Sequence, residues 1–149
     1  MSDHKNFLVR CRAIIVHEGK LLVMKHRSET PHFVLPGGHM DQGEDVLECI
    51  TREIFEELGI APTIGRLLYV YTFAFDGVQS VEFLFEVKNG ADYFAAPTLG
   101  GTHAHEFVDV RWVSPNEEGI RILPSMVQED FAKGTLLSDE VHYRKGEMK

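Results

Sequence analysis

The sequence predicts an α/β fold, and three observations carry that reading. Short runs alternate apolar and polar residues with the period of half-buried strands; in Phe7 to Val16, Arg10 and Arg12 alternate with Val9, Cys11 and Ala13. A later stretch changes to helical period, with Val46, Leu47, Ile50, Ile54 and Leu58 recurring on one stripe. No repeat, low-complexity tract or linker divides these segments, so they read as one continuous unit.

The elements follow in order. After the first strand, His17-Glu18-Gly19-Lys20 supplies a turn and Leu21 to Lys25 resumes the apolar run, which predicts a hairpin or two adjacent strands. Pro31 interrupts. Phe33-Val34-Leu35 then leads into Pro36-Gly37-Gly38, a rigid turn followed by freely oriented backbone. The helix is expected from Glu44 to Leu58, with Gly59 placed to cap its C-terminus. Strands are expected at Arg66 to Phe75 and Ser80 to Val87, joined by a loop containing Asp76-Gly77, and again at Phe107 to Val113. Ser114-Pro115-Asn116-Glu117 has the form of a helix start: serine cap, proline first, glutamate three after the cap. A last helix is expected from about Pro124 to Ala132, and the polar tail from Gly134 reads as a short strand or as loosely ordered chain.

Bulk properties bound the function. The length of 149 residues suits a single domain able to bury a core without disulfides or a structural metal. Apolar content of 44% and charged content of 26% are ordinary globular values. A formal charge of −8 argues against a broad nucleic-acid-binding surface. It leaves room for a phosphorylated substrate, because a bound cation can reverse the local sign. Cys11 and Cys49 belong to no CxxC-type pair and sit among apolar neighbours, so they are expected as small buried hydrophobes. No run of about 18 apolar residues predicts a membrane span, and the N-terminus lacks the apolar core of a signal peptide; a cytoplasmic location is the expectation.

One stretch poses a chemical question: Glu53, Glu56 and Glu57 crowd together just before Gly59. At 100° per residue they project from one side of the helix, which the spacing sets opposite the Leu47, Ile50, Ile54 and Leu58 stripe. A solvated helix face is the plain reading. Against it, the helix carries no lysine and its basic partner is Arg52. Like charges about 4 Å apart repel by about 4 kcal/mol at an effective dielectric of 20. A divalent cation would remove that penalty, hard cations take oxygen ligands of this kind, and the carbonyls of the preceding Gly-Gly turn could approach the same ion.

The stretch resembles the Nudix box, whose pattern is glycine, five residues, glutamate, seven residues, then Arg-Glu-apolar-any-Glu-Glu-any-Gly-apolar. Gly38, Glu44, Arg52, Glu53, Ile54, Glu56, Glu57, Gly59 and Ile60 fill all nine specified positions at those spacings. Leu35-Pro36-Gly37-Gly38 is similar to the family's lead-in, and the Arg111-Trp112-Val113 strand with a following helix is similar to many members. The resemblance covers about residues 7–133, the core of a single domain of residues 1–149 with a tail at 134–149, and has motif support from Leu35 to Ile60. It implies an α/β/α sandwich with a mixed sheet. It also implies a metal-dependent hydrolase that cleaves a phosphoric anhydride in a nucleoside diphosphate linked to another group. Magnesium is the implied metal, with manganese able to substitute, and the partner is a nucleotide-type small molecule. Homo-oligomers are compatible with it. The alternative is a catalytically silent Nudix-like nucleotide-binding or sensing domain, although such domains usually lose box glutamates and this chain keeps them. A diphosphate isomerase on the same fold is a third reading.

The resemblance implies roles residue by residue. Glu56 and Glu57 match the principal metal ligands, and Glu53 a further ligand or the base that activates water. Gly38, and with it Gly37, would offer a backbone carbonyl to the metal. Arg52 orients a glutamate, and Glu44 either ligates or pairs with Arg52 in a bridge that holds the loop to the helix. Outside the box, Glu106 could add a carboxylate to the site, or His103 or His105 could act as base near neutral pH; a solvated turn is the plain alternative. The HxH spacing also suggests zinc, but no third ligand accompanies it. Arg10, Arg12, Arg27, Phe33, Tyr69 and Tyr71 lie on or beside strands that flank the pocket in the family. Their rings could stack on a base and their guanidinium groups could hold distal phosphates, while ordinary core packing and surface charge explain most of them.

Overall fold

The computed structural model describes residues 6–26, 31–96, 98–101 and 107–147. The described elements are β1 (Asn6–Ile14), β2 (Val16–His17), β3 (Lys20–His26), β4 (Phe33–Val34), β5 (Gly37–His39), α1 (Val46–Leu58), β6 (Ile64–Phe75), β7 (Val78–Val87), α2 (Gly90–Ala95), β8 (Phe107–Val113), β9 (Ile122–Leu123), α3 (Ser125–Lys133) and β10 (His142–Glu147). One sheet has the order β10-β6-β7-β1-β5. It is mixed, as expected: β10 runs parallel to β6 and β7 to β1, while the β6–β7 and β1–β5 pairs are antiparallel. The second sheet has the order β2-β3-β4-β9, with β8 paired to β3.

Strand alternation feeds two apolar layers. Cys11 and Ala13 of β1, with Ile15 just after it, join the layer that holds Cys49, Ile50, Ile54 and Leu58 of α1. Ile14 points the other way, into the layer formed with Val127 and Phe131 of α3. In β3, Leu22 and Met24 enter the first layer and Leu21 and Val23 the second. This period-2 split, with one helix on each side, makes the sandwich. Both hairpins turn on two residues with positive φ: Glu18 at 50° with Gly19 at 76°, and Asp76 at 51° with Gly77 at 76°. Such turns match the strand twist, and glycine at the second place enters this region at no steric cost.

Two expectations change and an open one is resolved. Gly37-Gly38 is not free backbone but forms β5, in register with Arg12 and Cys11 of β1. No helix starts at Ser114. Glu117 does accept from the Ser114 N–H at 3.1 Å, but Asn116 adopts φ 60° and diverts the chain into a turn before β9. The tail takes the strand option as β10, paired with β6 from His142↔Tyr69 to Glu147↔Ala74. Helix α2, six residues long, is too short to leave a periodic signal in the sequence. It docks through the Tyr93 hydroxyl, which donates to the Ile60 carbonyl at 2.8 Å.

Candidate active site

Helix α1 carries its own start and stop. Asp45 caps the N-terminus in a reciprocal box: the Glu48 N–H donates to Asp45 at 2.8 Å and the Asp45 N–H to Glu48 at 3.0 Å. Gly59 ends the helix at φ 80°, its N–H donating to the Phe55 carbonyl at 2.9 Å. A side chain there would meet the Gly100 carbonyl at 2.6 Å. That carbonyl belongs to a turn closed on the helix end, where the Gly100 and Gly101 N–H groups donate to Leu58 and Glu57.

The buried arc of α1 differs from the expected stripe. Cys49, Ile50, Ile54, Glu57 and Leu58 are buried, whereas Leu47 is half exposed. Glu57, only 5% exposed, lies within the apolar arc rather than opposite it. What permits this is β5. The Gly37 N–H donates to Glu57 Oε1 at 2.8 Å, so the buried carboxylate has a backbone donor aimed at it. Gly37 must be glycine on two counts: its φ is 147°, and a Cβ would stand 2.1 Å from the Cys11 carbonyl oxygen of β1. Gly38 does different work. A Cβ there would fall 2.5 Å from the Glu53 carboxylate, so its bare backbone is what admits that carboxylate. The Gly38 carbonyl lies 3.7 Å from the Cys49 thiol, a weak donor. The Cys11 thiol points its proton at the Cys49 sulfur, and that contact, with burial, pushes the Cys11 thiol well above its usual range; both cysteines are free and buried, as expected.

Arg52 joins the loop to the helix. Its Nε and Nη2 grip Glu44 at 2.6 and 2.9 Å, and Nη2 also donates to the His39 carbonyl at 3.0 Å and faces Asp41 at 3.4 Å. Its Nη1 reaches Glu53 at 2.9 Å and Glu56 at 3.3 Å. The planar fork suits this, since it can hold one carboxylate bidentately and still donate elsewhere. Hydrogen bonds from Arg52 and from the Asp41 N–H hold the Glu44 carboxyl down at about 2, and the Glu44 contact holds the guanidinium of Arg52 more firmly charged. The bridge form of the Glu44–Arg52 relation is therefore present.

The three box glutamates thus occupy one end of α1 beside β5. Among the described residues, no group of three or more His, Cys, Asp or Glu converges tightly enough to hold a metal by protein ligands alone. The donor set still fits a hard cation of magnesium's kind. Such an ion uses one or two carboxylates, keeps several waters and takes phosphate oxygens from the substrate, so it needs no closed protein cage. The Glu53 carboxylate packs directly against the bare Gly38 backbone, which brings it beside the Gly-Gly strand.

The other candidates divide. Glu106, His103, His105 and Arg27 lie outside the described residues. Tyr69 is fully buried, stacks on His142 at 4.9 Å and donates to Asp130 at 2.5 Å; burial and that contact push its phenol above the usual range. Tyr71 is 6% exposed and stacks on Phe73. Phe33 is buried beneath Lys25 and Arg111, whose charged ends lie 5.7 and 5.1 Å from its ring centroid. Arg10 and Arg12 both face Glu82, a buried carboxylate of β7 that the sequence reading passed over. Its only signal was a glutamate set between two apolar residues, Val81 and Phe83.

Comparison with known proteins agrees with this geometry. A family model described as the NUDIX domain matches residues 8–133. A Bacillus subtilis (strain 168) protein provisionally named 8-oxo-dGTP diphosphatase is 29% identical over 125 residues, 81% of this chain and 77% of its own length. An ADP-ribose pyrophosphatase of Methanocaldococcus jannaschii is 44% identical over 62 residues, 40% of this chain and 36% of its own length. The solved structure of a MutT protein from Methanosarcina mazei Go1 shares the fold with a TM-score of 0.72 at 22% identity, covering 93% of this chain and all of that one.

Proposed function

The chain belongs to the Nudix family, as the domain match over residues 8–133 shows, and from that membership we propose a divalent-metal-dependent pyrophosphohydrolase acting on a nucleoside diphosphate linked to a further group. One observation carries the reading. Glu53, Glu56 and Glu57 are gathered at the end of α1 against the Gly37-Gly38 strand, with Arg52 bridging two of them and a backbone N–H holding the third. Crowded carboxylates with a buried member are costly as structure and useful as a cation site.

Glu56 and Glu57 are the proposed principal ligands. Glu53 is the further ligand or the base that takes the proton from the attacking water. Arg52 keeps Glu53 and Glu56 in place and stays bound to Glu44, which fits orientation rather than contact with substrate. The Gly38 carbonyl, and with it that of Gly37, is the proposed backbone ligand of the cation. Magnesium, or manganese in its place, would offset the charge of the diphosphate and make bound water more acidic. Glu106 remains our candidate for an added carboxylate. With these groups fixed, transfer of phosphoryl to water depends mainly on positioning and charge stabilisation.

The names of the Bacillus and archaeal relatives support a nucleotide-type substrate, and we take 8-oxo-dGTP and ADP-ribose as the first to try. Free thiols at Cys11 and Cys49 support a cytoplasmic location. Among the described residues, no helix is long and apolar enough to cross a membrane. The deciding experiment is a substrate panel with product identification, including canonical triphosphates, nucleotide sugars, dinucleoside polyphosphates and capped RNA. Turnover is expected with magnesium, to vanish in excess chelator, and to return with magnesium or manganese. Undiminished turnover in chelator would remove the metal from the mechanism. Binding without turnover across the panel would favour the silent nucleotide-binding domain.

A further inference from the structure

Behind the Gly37-Gly38 strand, on the face of the large sheet away from α1, a buried carboxylate pairs with two half-buried arginines. Glu82 is 3% exposed, one of three buried polar or charged side chains among the described residues. It accepts from Arg12 Nε at 2.9 Å and faces Arg10 at 3.8 Å. Arg12 Nη1 donates to the Leu35 carbonyl at 3.0 Å. Its neighbour on β1 fastens the next residue, since the Ala13 N–H donates to the Pro36 carbonyl at 2.8 Å. One residue on, the Gly37 N–H donates to Glu57 at 2.8 Å.

We propose that the Glu82–Arg12 pair is a positioning device: it fixes the Leu35–Gly37 backbone so that the Gly37 N–H holds the Glu57 carboxylate in its working orientation. This rests on the reading above, in which Glu57 serves the reaction. An ion pair with a buried carboxylate is a poor stabiliser, because apolar residues of like volume often do as well, so its presence here calls for another use. The geometry supplies one. Glu82 sets the plane of the Arg12 fork, and that fork ends on the carbonyl two residues before the N–H that meets Glu57. Arginine suits the task because it can satisfy two acceptors in one fixed plane, which a lysine ammonium does not do. Two of its nitrogens sit on protein acceptors, which supports a positioning role for Arg12.

The test uses Arg12→Met, Arg12→Lys and Glu82→Gln, alone and combined with Glu57→Gln. Glu82 keeps Arg10 as a partner when Arg12 is replaced, so Arg12→Met is expected to fold; if it does not, Arg12→Lys carries the comparison. Arg12→Met should lower kcat by about 10- to 100-fold, the range for groups that orient metal-site ligands, with KM little changed. Arg12→Lys should restore only part, and Glu82→Gln, which keeps an acceptor, should shift less in the same direction. In metal-free protein, the Gly37 amide resonance should move in Arg12→Met toward its position in Glu57→Gln. In the Glu57→Gln background, Arg12→Met should add nothing further. Multiplying effects, an unmoved Gly37 resonance, or a raised KM at unchanged kcat would each overturn the proposal, the last by making Arg12 a substrate contact. Should Glu57→Gln leave turnover intact, the catalytic reading of the box fails, and the Gly37 resonance alone decides whether Arg12 sets that hydrogen bond.

Discussion

Gly37 and Gly38 are neighbours with different constraints, and substitution should separate them. Alanine at Gly37 must hold φ 147° with its Cβ against the Cys11 carbonyl of the adjacent strand, and neither can yield cheaply. Gly37→Ala is expected to destabilise the fold by about 2–4 kcal/mol, read from urea denaturation. Gly38 meets only the end of the Glu53 side chain, which can swing aside. Gly38→Ala should therefore keep stability within about 1 kcal/mol while activity falls by about tenfold or more. Equal stability losses in the two variants would contradict this division. Glu57→Gln keeps size and removes charge, and is expected to lower kcat by about 100-fold or more with a native melting curve. Glu48→Gln is the control, because glutamine still closes the capping box and Glu48 is exposed. Small, equal effects in both would restore the solvated-face reading of the helix.

At the scale of the element, α1 and its incoming loop are held by the grip of Arg52 on Glu44, Asp41 and the His39 carbonyl. The Glu44 carboxyl is held at about 2 against its ordinary 4.5. A depressed carboxyl stabilises the fold above the unfolded value and loses that contribution as pH falls through the folded one. The bridge should therefore act fully above about pH 5 and fade between roughly pH 4.5 and 2. Urea midpoints for the parent and Glu44→Gln are expected to differ near pH 6 and to converge as pH approaches 2. A gap that stays constant over that interval would assign the difference to packing rather than to charge.

For the whole molecule, the tail closes the large sheet. Strand β10 pairs along β6, His142 stacks on Tyr69, and Arg144 faces Asp130 of α3 at 3.8 Å, the same carboxylate that Tyr69 engages. Strand, sheet and helix meet there, so the residues beyond the domain match belong to the packed unit in this structure. Removing residues 139–149 would bare the β6 edge and uncover Tyr69. The melting temperature should fall by roughly 5 °C or more, about 2 kcal/mol for a chain of this size. An unchanged melting curve would show that β10 adds no stability.

What the sequence determined by itself was local. The α1 helix could be read with its terminal Gly59 because period and C-cap lie within a few residues of one another, although the Asp45 cap sets its start two residues later than expected. The two hairpins showed in Glu18-Gly19 and Asp76-Gly77, where turn chemistry is short-range. The box glutamates and Arg52 were equally legible, since one helix turn brings them together. Tertiary structure decided the rest. Strands β5 and β9 are two or three residues long and exist only because a partner strand lies beside them. The helix-like start at Ser114 lost to the left-handed turn at Asn116. Leu47 and Glu57 exchanged their expected places because burial depends on what packs against each side of a helix, and Glu57 meets the Gly37 N–H of another element. Arg12 and Glu82 lie 70 residues apart in sequence. No periodicity links such a pair; only the parallel register of β1 on β7, which sets Arg12 opposite Leu84 and Arg10 opposite Glu82, brings those charges together in a buried layer.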